Sequence, residues 1–281
     1  MRKDQLVWLA LPLLLVLTAA CGQSSVVGAG IAPEAGPTST PPPTLLPTPT
    51  QWPTPVNQPW RTVTMGIEQR ELPVHGPHFR FPATARLVRI DPTLVKMHIH
   101  YSPEVPITVE EWQRETRATV VVNGGFFDAA KRTEGLLAGY SETYGISYVT
   151  GGMFYIENGQ VFLRDLTEEP YRQEERLQEA MQSYPMLVSD EKAVHPGEDF
   201  RYNRRTAIGI DGLGRVVVVV FDEPVVSLHE LSLWLAASDL DLEVALNLDG
   251  GSSTGMAVAA GDEQTLINSH GPIPIVIAAY P

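Results

Sequence analysis

The sequence predicts an α+β fold, a single domain in which a mixed and largely buried β-sheet is covered by helices. Candidate strands outnumber candidate helices, several strands are continuously apolar, and two of the helices open with capping-box residues. A strand that is apolar on both sides is buried on both sides, so we expect helices to pack against the sheet.

The first predicted elements surround a short apolar strand. Thr108 and Glu111 have the spacing of a capping box and predict a helix over residues 109–117. The strand follows at residues 120–122. Further along, residues 171–182 are rich in Glu, Gln, Arg and Leu, which favour helices, so we predict a second helix there.

The middle of the chain contains a predicted β-hairpin. Residues 206–210 and 215–221 are rich in Ile and Val, and the sequence Asp-Gly-Leu-Gly at 211–214 separates them. Glycine and aspartate in that position favour a tight turn between antiparallel strands.

The last predicted elements are one helix and two strands. Ser227 and Glu230 form a second capping box and predict a helix that ends near Asp239. Residues 244–248 and 273–280 are apolar and have the length of strands.

The N-terminus has the features of a secretory signal. Arg2 and Lys3 precede an uncharged run at residues 6–20, which is shorter than the roughly 20 residues of a membrane span. We predict a signal peptide at 1–20 and lipidation of Cys21, because the ending resembles a bacterial lipobox, although Thr18 stands where leucine is usual. Ordinary secretion with cleavage nearby is the alternative.

Residues 21–59 are predicted to be a tether rather than a packed domain. Residues 32–59 contain ten prolines and six threonines, a composition that favours extended polyproline II and cannot fill a core. A plain spacer is favoured over recognition of this segment by a partner. The predicted folded domain covers residues 60–281.

Charge and cysteine content exclude several classes of function. The chain of 281 residues carries 33 acidic and 20 basic side chains, a formal net charge of -13, which disfavours nucleic-acid binding. A single cysteine excludes an internal disulfide or a cysteine zinc site. His98 and His100 lack a third ligand motif nearby, so we predict no metal site and no cofactor, and the sequence leaves open whether a divalent ion assists.

Paired glycines follow two of the apolar strands. Asn123-Gly124-Gly125 and Asp249-Gly250-Gly251 each place a polar side chain at a strand end, where ligand sites are common. Glycines also let a ligand approach main-chain N–H groups closely. A tight turn is the structural alternative, most of all for Asp-Gly-Gly.

Five segments in the same order resemble the phosphodiester glycosidase family. They are NGGFFD at 123–128, QSYPMLV at 182–188, RRTAIGID at 204–211, SLHEL at 227–231 and ALNLDGGSSTGM at 245–256. The resemblance implies hydrolysis of the bond between a sugar anomeric carbon and a phosphate in a diester. It also implies a phosphodiester-glycosidase-like domain.

The resemblance implies three catalytic residues. Arg205 would clamp the phosphate, Asp249 would act at the anomeric carbon as base, nucleophile or electrostatic partner, and Asn123 would bond sugar or phosphate oxygens. Substrate-binding roles follow for the neighbouring residues Thr206, Gly124, Gly125, Gly250, Gly251, Ser252, Ser253, Asp128 and His270. His270 stands after Asn268, where the family commonly has arginine.

Structural roles are the alternatives for these residues. Arg205 could pair with Asp249 or Asp222, and Asp249 could cap a turn. Glycoside hydrolysis ordinarily uses two carboxylates, and the sequence leaves the second one open between Asp128 and the pair Asp222-Glu223.

The sequence therefore predicts an extracytoplasmic, lipid-anchored hydrolase of the cell membrane. Its substrates would be glycosyl phosphodiesters or anionic glycans of envelope polysaccharide or exopolysaccharide, and it would contact the membrane through Cys21 and bind no nucleic acid. A non-catalytic lipoprotein that holds an anionic glycan is the alternative, and a purely structural lipoprotein is a third class.

Overall fold

The structure, a computed structural model, describes residues 58–76, 79–139, 142–194, 197, 199–261 and 263–281. The predicted signal peptide, the lipidation site Cys21 and the tether up to residue 57 lie outside the described residues. Within the described part of the chain, neither helix is long and apolar enough to cross a membrane.

The described residues form eighteen strands, two α-helices and one short 3-10 helix. The helices are α1 (Val109–Thr116) and α2 (Leu228–Ala237), and the 3-10 turn covers Gly251–Ser253. In chain order, the strands are β1 (Arg61–Thr64), β2 (Ile67–Val74), β3 (Ala83–Ile90), β4 (Lys96–Tyr101), β5 (Val120–Asn123), β6 (Leu137–Gly139), β7 (Glu142–Tyr144), β8 (Gly152–Glu157), β9 (Gln160–Asp165), β10 (Glu179–Ser183), β11 (Met186–Ser189), β12 (Lys192–Ala193), β13 (Asn203–Asp211), β14 (Val216–Val226), β15 (Leu242–Asn247), β16 (Met256–Ala260), β17 (Glu263–Ile267) and β18 (Ile275–Tyr280).

The strands form three sheets, and the named strands pair antiparallel throughout. The largest sheet has the order β1-β2-β3-β14-β13-β15-β11-β12. The second has the order β7-β6-β10-β8-β9, and the third has the order β17-β16-β5-β18-β4. The predicted α+β fold with one mixed sheet covered by helices is therefore wrong: the fold is mostly β, with three antiparallel sheets and only two helices in the described part.

The valine run of β14 explains the error. Val216, Val218 and Val220 face the central core, while Val217 and Val219 face α2 and its neighbours. Successive residues of a strand point to opposite faces, so the run is buried on both sides, as predicted. What covers the inner face is the other two sheets rather than a layer of helices.

One apolar core is shared by the inner faces of all three sheets. Its members include Ile208 of the largest sheet, Phe154 of the second and Ile277 of the third. The outer face of the largest sheet packs on α2, where Leu231 and Leu235 are buried. The two helices thus cover outer faces of the sheets.

The predicted helix over residues 171–182 is wrong. Residues 179–183 form β10, which pairs with β6 on one side and with β8 on the other. Ala180 and Met181 are fully buried there. Tertiary pairing overrides the helix propensity of the Glu- and Gln-rich sequence.

The other predicted elements are confirmed to within a few residues. Both capping boxes form: the Glu111 N–H donates to Thr108 Oγ1 (3.3 Å), and the Glu230 N–H donates to Ser227 Oγ (3.2 Å). The predicted hairpin is β13 and β14, joined through the turn that begins at Asp211.

Candidate active site

The two Gly-Gly loops meet at one place in the structure. The Asp249 N–H donates to the Gly124 carbonyl (3.0 Å), and the Asn123 side-chain amide donates to the Asp249 carbonyl (2.7 Å). Strand β5 of the third sheet and strand β15 of the largest sheet therefore end against each other. Polar residues of two sheets thus lie at a single site.

The Asn123 side chain connects these two strand ends through hydrogen bonds. Its amide donates to the carbonyls of Asp249 and Gly124, and its oxygen accepts from Thr206 Oγ1 (2.7 Å) and the Gly255 N–H (3.0 Å). The side chain is almost fully buried, with 1% exposed. All four hydrogen-bonding positions of the amide are used within the protein, so Asn123 and Thr206 position the loops instead of reaching a substrate.

Glycine at these positions lets the backbone pack closely against neighbouring residues. A Cβ added to Gly124 would lie 2.4 Å from Ile275 Cγ2, which only glycine avoids. The Gly124 and Gly125 N–H groups already donate to the Ile275 carbonyl (2.9 Å) and Met181 Sδ (2.9 Å), so neither points to a ligand. Gly251 has φ +62 and begins the turn after Asp249 in a conformation that favours glycine.

Asp249 presents a half-buried carboxyl at the junction. Burial raises its pKa to about 6, although hydrogen bonds from Ser253 and from the Gly250 N–H (2.9 Å) lower it. The negative charge of Glu134 raises the pKa further, and the positive charge of Lys131 lowers it. Such a carboxyl changes its protonation state near the pH at which acid–base catalysis is efficient.

Arg204 and Arg205 are adjacent on β13, so their side chains lie on opposite faces of the strand. The structure does not bring Arg205 to the junction. Arg205 Nε donates to the Val226 carbonyl (3.0 Å), and its Nη2 donates to the Arg201 carbonyl. Burial lowers the pKa of this guanidinium, which is 9% exposed. The geometry thus gives Arg205 a structural role on the face that packs on α2, instead of the predicted phosphate clamp.

Arg204 lies on the side of the site. It donates to the carbonyls of Asp222 (3.1 Å), Gly251 (3.3 Å) and Asn268 (3.1 Å). The latter two belong to the loops at 249–254 and 268–272, so Arg204 fixes one loop to the other. Its donors are directed at main-chain oxygens, which makes it a positioning residue.

The remaining predicted residues line or shape the neighbouring loops. Ser253 is buried and bonds Asp249, while Ser252 is exposed and its carbonyl accepts from the His270 N–H (2.8 Å). His270 is exposed at that rim. Asp128 accepts from the N–H groups of Ala130 (2.8 Å) and Arg132 (2.9 Å), so it closes the turn at the tip of its own loop.

Aromatic side chains form a wall beside Asp249. The ring centroids of Phe126 and Tyr184 are 4.7 Å apart, and those of Tyr148 and Tyr184 are 5.3 Å apart. Gln182 holds this wall in place by accepting from the Tyr148 N–H (2.6 Å). Tyr184 is 45% exposed and offers its ring to solvent. Aromatic faces of this kind, with a few convergent polar groups, are typical of ligand sites.

The Tyr148 hydroxyl is buried and has no hydrogen-bond partner among the described residues. Burial raises the pKa of Tyr148 to about 12, and the charges of Glu134 and Asp249 contribute to the increase. A buried hydroxyl without a partner is costly and is rare in folded proteins. The missing partner makes this hydroxyl a candidate contact for a ligand or a water molecule.

Sequence reasoning missed Glu134, Lys131 and Tyr148. Glu134 is exposed, and it is one of the acids whose charge acts on Asp249. These three residues lie in loops outside the recognised motifs, between β5 and β8. The signals for the aromatic wall were Phe126 in the motif NGGFFD and Tyr184 in the motif QSYPMLV, whose rings lie against each other.

No group of three or more His, Cys, Asp or Glu residues in the described ranges could hold a metal ion. His98 and His100 lie on the edge strand β4 and have protein partners: His98 Nδ1 lies 2.8 Å from Glu179 Oε1, and His100 Nε2 lies 2.8 Å from the Tyr280 hydroxyl.

Comparison with solved structures identifies relatives in fold. A catalytic domain of zebrafish N-acetylglucosamine-1-phosphodiester alpha-N-acetylglucosaminidase, auto-inhibited by its pro-peptide, is similar at a TM-score of 0.58 and 15% identity, over 79% of this chain and 85% of that one. A hypothetical protein from Synechocystis has a TM-score of 0.53 and 16% identity, over 79% of this chain and 63% of that one. A comparison with curated protein sequences found no match.

Comparison with protein families settles the resemblance. The model of the family described as phosphodiester glycosidase matches residues 116–277, which include β5, the junction at Asp249 and the first half of β18. The match covers more than half of the chain and contains all five motifs. The chain belongs to the phosphodiester glycosidase family.

Proposed function

We propose that this protein hydrolyses the bond between a sugar anomeric carbon and a phosphate oxygen in glycosyl phosphodiesters of envelope or exported polysaccharide. Family membership supports the class of reaction. The zebrafish relative in fold is named for removing N-acetylglucosamine from a phosphodiester, which makes that sugar the first substrate to test.

The observation that carries this proposal is the Asp249 carboxyl at the junction of the two Gly-Gly loops. It is held by Ser253 and the Gly250 N–H, and burial raises its pKa to about 6. The carboxyl is half-buried, the charge of a second acid, Glu134, acts on it, and the aromatic wall lies next to it.

The proposed reaction consumes one water molecule. The water oxygen bonds to the anomeric carbon, the bond from that carbon to the phosphate oxygen breaks, and a free sugar and a phosphate monoester are released. The leaving group departs as an anion, so it needs less protonation than an alcohol does. Ionised Asp249 takes the proton from the attacking water or stabilises positive charge at the sugar ring.

Glu134 is the second carboxylate in this proposal. It replaces the earlier candidates, because Asp128 closes a turn and Asp222 pairs with Arg86 (2.5 Å). The Glu134 side chain is exposed and its charge raises the pKa of Asp249. Like charges of this kind separate the roles of two acids in glycoside hydrolysis.

The aromatic wall would bind the sugar. Tyr184 and Phe126 present ring faces beside the catalytic carboxyl, and the apolar face of a sugar ring packs on such surfaces. The Tyr148 hydroxyl would donate to a sugar oxygen, which supplies the partner it lacks.

The cellular setting is part of the proposal. A basic start, an apolar run and a cysteine at position 21 support export and attachment of a lipid at Cys21. The Pro- and Thr-rich segment would then hold the hydrolase away from the membrane surface.

The test is release of sugar by the full-length protein from a panel of sugar-1-phosphodiesters that begins with the methyl phosphodiester of N-acetylglucosamine 1-phosphate. We expect Asp249→Asn to lower kcat by about 10²- to 10⁴-fold, the usual contribution of a general base. Asp190→Asn is the matched control, since Asp190 is exposed and pairs with Lys192.

Two results would reject the proposal. One is unchanged activity in Asp249→Asn with an intact thermal transition. The other is binding of the diesters without turnover across the panel, which would make the protein a non-catalytic glycan-binding module.

A further inference from the structure

Three loops, one of which contains Asp249, contact one another in a ring. The loop at 124–134 contacts the loop at 249–254 through the Asp249 N–H and the Gly124 carbonyl (3.0 Å). The loop at 249–254 contacts the loop at 268–272 through the His270 N–H and the Ser252 carbonyl (2.8 Å). We call these three segments the loop ring.

Lys131 completes the loop ring. Its Nζ donates to the Pro272 carbonyl (2.7 Å), which joins the loop at 124–134 to the loop at 268–272. The ammonium also lies 4.7 Å from the centre of the Phe127 ring. An ammonium group has three N–H donors, and the described residues supply it with one hydrogen-bond acceptor. Two donors therefore remain for a ligand.

The backbone at Lys131 is in a conformation that side chains seldom adopt. Its φ is 66, in the left-handed region. Non-glycine residues in this region cost free energy and often occur at ligand-binding sites. Here the strained turn, closed by Asp128, directs the lysine across the loop ring instead of out to solvent.

Charge distinguishes Lys131 from the other cations near the site. Among the described residues, no carboxylate is within ion-pair distance of its ammonium, whereas Arg132 pairs with Asp128 (2.9 Å). Arg204 and Arg205 direct their donors at main-chain carbonyls. Among the described lysines and arginines of the loop ring, Lys131 is the one without a carboxylate partner, and its charge acts on the Asp249 carboxyl.

We infer that the Lys131 ammonium, held across the loop ring by the Pro272 carbonyl, forms a phosphate subsite that binds the phosphate group of the substrate. This inference deepens the proposed function, on which it rests for the class of ligand. A chain with a net charge of -13 repels a phosphodiester at long range, so a local cation is needed to hold it. Lysine is a common point-charge ligand of phosphate.

Calorimetric titration of the full-length protein with inorganic phosphate tests the subsite, because inorganic phosphate cannot be turned over. We expect Lys131→Met to weaken phosphate binding about tenfold, the usual cost of losing one charge-assisted contact. Lys131→Arg should retain most of the binding. Lys192→Met is the matched control, since Lys192 is exposed and pairs with Asp190 on the short edge strand β12.

A second titration separates charge from packing. The uncharged methyl glycoside of N-acetylglucosamine should bind Lys131→Met as it binds the unaltered protein. Equal weakening of both ligands would assign Lys131 a purely structural role in the loop ring and overturn the inference. Absence of phosphate binding by the unaltered protein, or unchanged binding by Lys131→Met, would overturn it as well.

The two proposals fail separately. Lys131-dependent phosphate binding without hydrolysis of any diester would reject the enzymatic proposal and keep the phosphate subsite. Hydrolysis with phosphate binding that does not depend on Lys131 would reject the subsite and keep the enzyme.

Discussion

Asp249 combines two properties that seldom occur together in a surface turn. Its carboxyl accepts hydrogen bonds that favour the ionised form, yet burial dominates and raises its pKa to about 6. A residue that served the fold alone would gain from a lower pKa. The carboxyl therefore changes its protonation state in the pH range where acid–base catalysis is efficient.

The first prediction concerns pH. If ionised Asp249 assists the attack of water, kcat/KM rises with pH and reaches half of its plateau near pH 6, because protonation removes the reactive form. Lys131→Met should move this midpoint to higher pH, since the charge of Lys131 lowers the pKa of Asp249. Initial rates of sugar release across the pH range check both points, and a profile that is flat around pH 6 would contradict the assignment.

The second prediction concerns the buried hydroxyl of Tyr148. Tyr148→Phe removes a polar group without a partner among the described residues, so the free energy of unfolding should rise by about 1 kcal/mol. Chemical denaturation measures this change. Sugar release should fall in the same variant, because the proposed contact with a sugar oxygen is lost. A destabilised variant would show that the hydroxyl has a partner in the folded protein.

The two faces of strand β13 carry residues with different roles. Thr206 and Arg204 face the junction, where they hold Asn123 and the two loops, and Arg205 faces α2. Period-two alternation of a strand makes this separation unavoidable for neighbouring residues. The motif Arg-Arg-Thr therefore carries one arginine for the site and one for the outer layer.

The third prediction uses this pair of arginines. Arg204→Met should raise amide hydrogen exchange in the loops at 249–254 and 268–272, whose carbonyls it binds, and should lower sugar release. Arg205→Met should raise exchange near Arg201 and Val226 instead. Hydrogen exchange with mass spectrometry distinguishes the two patterns. Identical patterns would show that the faces are not independent.

Local signals in the sequence predicted most of the elements. Each capping box begins a helix, and each valine run is a strand, because caps and apolar patterns act within a few residues. The helix predicted over residues 171–182 was wrong because its evidence was propensity alone. Pairing of Glu179–Ser183 between two strands outweighs the few tenths of a kcal/mol per residue that propensity supplies.

The fold class could not be obtained from the same signals. A doubly buried strand has the same apolar sequence whether a helix or another sheet covers it. The three sheets share one core, and their assembly depends on contacts between residues far apart in the chain. The number of sheets and their antiparallel pairing are therefore properties of the whole molecule.

Part of the site could be predicted from the sequence, because some of its features depend on local patterns. Glycine pairs at two strand ends predicted the loops that meet, because close approach of main chains requires glycine at Gly124. The arginine that faces the site is Arg204, and alternation relative to Thr206 was the available signal. Glu134, Lys131 and Tyr148 reach Asp249 only through the folding of long loops, which no local pattern describes.

We propose that, in the folded molecule, loops from two sheets form one glycosidase site. The most direct test follows heavy oxygen from labelled water during cleavage of a sugar-1-phosphodiester by the full-length protein, with Asp249→Asn as the inactive control. Attack at the anomeric carbon predicts a phosphate monoester that contains no heavy oxygen. A heavy oxygen in the phosphate product would mean attack at phosphorus, and it would contradict the glycosidase mechanism.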